Sequence, residues 1–135
     1  MKPFAVFIAA LTEDGQWAAT TRAADRGEQG KIGLPGGKVD PGEHPLDAAI
    51  REAAEEGWYI APNSLDTIHE QYVDGNRVTY FASNQPAVQL EDWKEKGRIQ
   101  PVTASYDDLV LSGYGNVNAM PKARLKLKPL ADYDV

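Results

Sequence analysis

Gly36–Gly37–Lys38–Val39–Asp40–Pro41–Gly42–Glu43 and, after seven intervening residues, Arg51–Glu52–Ala53–Ala54–Glu55–Glu56 form the most informative segment of the chain. Pro45 suits a first helical position and Gly57 an exit, which bounds a helix between them. Within it Leu46, Ala49, Ile50, Ala53, Ala54 and Gly57 recur at three- and four-residue steps and form one small apolar face. Glu52, Glu55 and Glu56 fall on a different flank, where residues three and four apart are neighbours. Three carboxylates so close repel one another unless cations neutralise them, and oxygen-only donors suit hard ions such as magnesium or manganese. The bland alternative is a solvated acidic face, partly offset by Arg51 through Asp47 and Glu55 at helical spacing. Gly33, Gly36 and Gly37 tilt the balance, because they let backbone approach an ion or a phosphate unobstructed. The loop is no P-loop, since no Lys–Ser or Lys–Thr pair follows it and no helix starts directly after it.

On the N-terminal side, Phe4–Leu11 and Trp17–Arg22 read as strands around an Asp14–Gly15 hairpin turn. Ala23–Gly37 reads as an extended, glycine-rich loop. Leu65–Val73 and Arg77–Ser83 flank Asp74–Gly75–Asn76, a second hairpin signal. Pro86 and Pro101 bracket a loop with a charged middle, Glu91–Arg98, and Ser105–Leu111 and part of Asn116–Leu125 read as short helices. Strand pairs around one strong helix imply an α/β fold with a mixed sheet between helical layers.

At 135 residues the expectation is a single domain over residues 1–135. The chain has no cysteine, which excludes disulfides, a thiolate nucleophile and cysteine-ligated metal. This fits a reducing compartment, and a cytoplasmic location is expected. No segment is long enough to cross a bilayer, and Phe4–Leu11 reads as a first strand rather than a secretory signal. The net charge of −6 argues against a nucleic-acid polymer as partner, though ions held by the protein can reverse the field locally for a small anionic substrate. A homodimer remains open.

Gly37, five residues, Glu43, seven residues and Arg51–Glu52–Ala53–Ala54–Glu55–Glu56, entered through Leu34–Pro35–Gly36–Gly37–Lys38, resembles the Nudix box. The resemblance implies a Nudix-like α/β/α sandwich and a hydrolase of phosphoanhydrides. It implies that Glu52, Glu55, Glu56 and the carbonyl of Gly36 bind Mg2+, with Mn2+ as an alternative, while Gly37, Glu43 and Arg51 hold the loop against the helix. Glu52 or Glu55 would take a proton from water, and Glu95 in the charged loop is a further candidate, against a plain surface charge beside Lys94 and Lys96. Substrate-contact candidates are Lys38, Arg22 at the end of the second strand, and Asn116 and Asn118, each set against a role in solvent or in turns. Tyr72, Tyr80 and Phe81 read as core before they read as base-stacking groups. One departure is Trp58, where the family pattern has glycine; Gly57 then ends the helix with Trp58 packed beneath it.

The short chain favours cleavage of a nucleoside triphosphate to monophosphate and pyrophosphate. Cleavage of ADP-ribose or a dinucleoside polyphosphate is the second reading, and a nucleotide-binding module without turnover the third. Isoprenoid isomerase chemistry, which in the family relies on a cysteine, is disfavoured.

Overall fold

The computed structural model describes residues 4–22 and 32–112. The first strand, β1 (Phe4–Ala9), is the axis of the molecule. It lies parallel to β7 (Asn76–Ser83) and antiparallel to β4 (Gly36–Lys38), and β7 in turn pairs with β6 (Leu65–Val73), giving the order β4-β1-β7-β6. Two smaller groups complete the strands: β3 (Ile32–Gly33), β2 (Trp17–Arg22) and β9 (Ile99–Ala104) in the order β3-β2-β9, and β5 (Trp58–Tyr59) with β8 (Val88–Gln89).

Alternation along β1 and its continuation sorts the core into two layers. Phe7, Ala9 and Leu11 pack on one side with Trp17, Tyr80 and Leu109. Val6, Ile8 and Ala10 pack on the other with Ala48, Ala49, Ala53, Trp58 and Phe81. A strand apolar on both faces is one covered on both faces. The covers are helix α1 (Pro45–Glu55) on the second side and helix α2 (Tyr106–Ser112), which carries Leu109, on the first. The result is the expected α/β/α sandwich around a mixed sheet. Tyr80 and Phe81 are core residues as read, whereas Tyr72 is 70% exposed.

The second hairpin is as expected: Asp74 (φ 51°) and Gly75 (φ 80°) supply the two positive-φ positions of a tight turn between β6 and β7. Three further expectations, about the strands and loops, are corrected. The first hairpin closes only at its tip, through Leu11 opposite Trp17 and the Ala18 N–H on the Ala10 carbonyl at 2.9 Å. Beyond that the strands part, because both edges of β1 are already taken by β4 and β7. The glycine-rich stretch is not all loop, since β3 and β4 form within it by pairing with β2 and β1. Pro101 does not bound a loop; it lies inside β9, which among the described strands pairs on one side only, with β2. A proline is tolerated on such an edge because it has no N–H to leave unpaired.

Candidate active site

Helix α1 is fixed at both ends. At the N-terminus Pro45 follows the cap residue His44, whose Nδ1 accepts the Leu46 N–H at 3.1 Å. At the other end Glu56 is the cap, and Gly57 takes φ 103°, a conformation that side chains resist. A Cβ on Gly57 would also sit 2.7 Å from Pro101 Cγ. The chain then turns Trp58 into the core, where it is 1% exposed and its Nε1–H donates to the Ala19 carbonyl at 2.8 Å. The departure from the family pattern is therefore met by a one-residue-early exit.

Arg51 organises the acidic end. Its Nε and Nη2 bind the two oxygens of Glu43 at 2.8 and 2.9 Å, and Nη2 also donates to the Lys38 carbonyl at 3.1 Å. Glu43 Oε1 accepts the Asp40 N–H at 3.0 Å, which locks the turn below β4. The Arg51 hydrogen bond, seconded by that amide, holds the Glu43 carboxyl at about 2, well below its ordinary 4.5. The same pairing pushes Arg51 above its already high value. The ion-pair partners of Arg51 are Asp40, Glu43, Glu52 and Glu55 rather than the Asp47 that helical spacing offers.

The remaining Arg51 nitrogen, Nη1, is shared by Glu52 Oε1 and Glu55 Oε2, each at 3.1 Å. Glu52 lies against Gly37, and a methyl group there would collide with its carboxylate. Burial raises the Glu52 pKa and outweighs the Arg51 charge, with Glu55 and Glu95 adding repulsion. Glu56 is 3% exposed, and its Oε1 accepts the Gly36 N–H at 2.8 Å. Glycine strand and helix end are thus joined at Gly36–Glu56 as well as through Arg51.

The charged loop reaches the same place. The Glu95 N–H donates to the Glu55 carbonyl at 2.9 Å, and Lys94 Nζ lies 3.2 Å from Glu55 Oε1. Glu95 is thereby brought beside the trio, with Arg98 Nη1 at 3.8 Å from its carboxylate. Lys94 thus joins the candidate site without any local signal in the sequence, since its contact spans 39 positions. Lys38 is exposed at the end of β4. Arg22 is the last residue of β2, and Asn116 and Asn118 lie outside the described residues. On the face of the sheet opposite α1, Phe7 stacks on Tyr80 at 5.6 Å, and His69 approaches Tyr80 at 5.9 Å.

The donor chemistry of Glu52, Glu55 and Glu56 fits a hard divalent ion: the groups are oxygen-only, and burial and mutual repulsion act on Glu52 in a way that added positive charge would relieve. Among the described residues no three acidic or histidine side chains are already gathered at ligand spacing. Glu52 and Glu55 are drawn onto Arg51 and Lys94, and Glu56 onto Gly36, so capture of an ion means an exchange of partners.

The fold and this acidic helix end define a class, the mixed-sheet domains that set a glutamate-rich helix against a glycine strand. Residues 1–119 match the NUDIX domain, and the chain belongs to the Nudix family of hydrolases. Enzymes of this family generally use divalent metal ions and act on small nucleotide substrates. No curated protein matches the chain. Among solved structures, one described as an ADP compounds hydrolase is 22% identical with a TM-score of 0.72, over 94% of this chain and 74% of its own. A MutT structure, described as from Aliivibrio salmonicida and Vibrio cholerae, is 19% identical with a TM-score of 0.66, over 93% of this chain and 96% of its own. The MutT protein from Methanosarcina mazei Go1 is 21% identical with a TM-score of 0.64, over 94% and 98%. At these identities the likeness is one of fold. Among the described residues no helix is long and apolar enough to cross a membrane.

Proposed function

We propose that this chain is a magnesium-dependent pyrophosphohydrolase that cleaves a nucleoside triphosphate to the monophosphate and pyrophosphate, acting as a single domain over residues 1–135 in the cytoplasm. The observation that carries the reading is the meeting of Glu52 and Glu55 on one guanidinium nitrogen, with Glu56 anchored to Gly36 beside them. Glu52, Glu55, Glu56 and the Gly36 carbonyl would hold Mg2+ or Mn2+, an ion that also takes substrate phosphates as ligands. When bound, such an ion cancels phosphate charge and lowers the pKa of water.

The rest is done by the chain's own groups. One of Glu52, Glu55 and Glu95 accepts the proton as the oxygen of water bonds to phosphorus and the anhydride P–O bond breaks. Glu43 and Arg51 keep the loop in place, and Lys38 and Arg22 meet phosphate oxygens. Asn116 and Asn118 are candidates for contact with the base.

A panel of nucleotides incubated with Mg2+ or Mn2+, with products resolved by chromatography, tests this. Monophosphate and pyrophosphate are expected. Two phosphorylated fragments from ADP-ribose or a dinucleoside polyphosphate would move the assignment to those substrates, and no turnover at all would sink the hydrolytic reading. Glu55→Gln should fold normally and lose about a hundredfold or more in rate.

A further inference from the structure

Both carboxylate oxygens of Glu55 are occupied by cations of the protein itself, Oε2 by Arg51 Nη1 at 3.1 Å and Oε1 by Lys94 Nζ at 3.2 Å. The two cations differ in how firmly they are held. Arg51 is also bonded to Glu43, Glu52 and the Lys38 carbonyl, and could leave only by dismantling the loop. Lys94 is 75% exposed on a flexible stem, and among the described residues its ion pair is with Glu55 alone. The backbone beside it is pinned independently. The Glu95 N–H is on the Glu55 carbonyl, and the Arg98 and Ile99 N–H groups return to the Glu95 carbonyl, all at 2.9 Å. The ammonium can therefore swing into solvent while the loop keeps its place.

We propose that Lys94 is a displaceable counter-ion for Glu55, holding Oε1 until a divalent cation takes that oxygen from it. The inference rests on the reading of Glu55 as an ion ligand. An exposed lysine–carboxylate pair contributes little, so it is surrendered easily to a compact doubly charged ion. Until then Glu55 keeps both oxygens paired, Oε2 with Arg51 and Oε1 with Lys94. Lys94 thus competes with the divalent cation for Glu55 Oε1.

Binding of Mn2+ to the folded protein without nucleotide, followed by the paramagnetic resonance signal of the free ion at fixed ionic strength, tests the idea. Lys94→Met should tighten binding by about two- to fivefold, the range that an exposed ion pair can supply. Lys96→Met is the control. Lys96 sits two residues away and pairs with Asp92 at 3.6 Å, so its replacement removes the same charge without touching Glu55. It should change affinity less, and Lys94→Arg should stay near wild type. Equal changes in the two methionine variants would overturn the proposal, since the protein's general field would then account for both. Weaker binding by Lys94→Met would also overturn it. Failure of the wild-type protein to bind Mn2+ would remove the ion-ligand reading as well, a result distinct from the other two.

Discussion

Replacing Glu43 by glutamine should destabilise the protein in a pH-dependent way that can be worked out beforehand. Glu43 takes two hydrogen bonds from Arg51 and one from the Asp40 amide, and its carboxyl sits at about 2 against an ordinary 4.5. A shift of that size corresponds to a ceiling of about 3 kcal/mol of linked stability. The side chain is still 19% exposed at the rim of the loop, and a glutamine there would keep part of the hydrogen bonding, so roughly 1–2 kcal/mol is the expected loss at pH 7. Because the folded-state pKa is depressed, this contribution is nearly complete above about 4.5 and is lost only as the pH falls through about 2. Urea unfolding of wild type and Glu43→Gln at pH 7, 4 and 2.5 reads the gap directly. It should be widest at pH 7, narrower at pH 4 and down to roughly a quarter of its pH 7 value at pH 2.5, where a carboxyl at about 2 is still mostly ionised. A gap below about 0.5 kcal/mol at pH 7 would leave Glu43 no more than an ordinary surface charge. A gap that persists unchanged at pH 2.5 would show that shape, not ionisation, is what the substitution disturbs.

Gly37→Ala should leave the fold largely intact but force the Glu52 carboxylate away from β4, and a displacement of this order can cost about a hundredfold in rate. Wild-type turnover and Mn2+ affinity in that variant would show that the present placement of Glu52 is not needed. Trp58→Phe should lower stability by about 1–3 kcal/mol, since the Ala19 carbonyl loses its indole partner in the core. Thermal unfolding measures this, and an unchanged midpoint would mean that the hydrogen bond is replaced by water.

What could be read along the chain and what could not divides by the range of the interactions. Helix α1 is legible because its determinants are its own residues: Pro45 at the start, small apolar groups at helical spacing and Gly57 at the exit. The β6–β7 turn is legible for the same reason, through Asp74 and Gly75. By contrast, β4 is two glycines and a lysine, with almost no side chains to betray a strand. It exists because β1, some thirty positions earlier in the chain, offers an open edge. The strand β9 was hidden by Pro101, whose meaning depends on whether the strand has a second neighbour.

The site divides in the same way, with consequences for its chemistry. Spacing alone places Glu52, Glu55 and Glu56 on one flank of a helix, but it treats them as equivalent, and they are not. Glu56 is buried on the Gly36 amide, Glu52 is wedged against Gly37 with its pKa raised, and Glu55 is held between a fixed arginine and an exposed lysine. These differences come from β4 and from the Glu91–Arg98 loop, neither of which belongs to the helix. An acidic helix face in isolation would be a solvated surface. Folding against a glycine strand on one side and a lysine-bearing loop on the other gives each carboxylate a different cost of exchanging its partner. That cost, rather than the number of carboxylates, decides which oxygens an incoming cation can claim first. If the three carboxylates are ion ligands as proposed, Glu55, held through Oε1 by the weakest partner of the three, would be the point of entry.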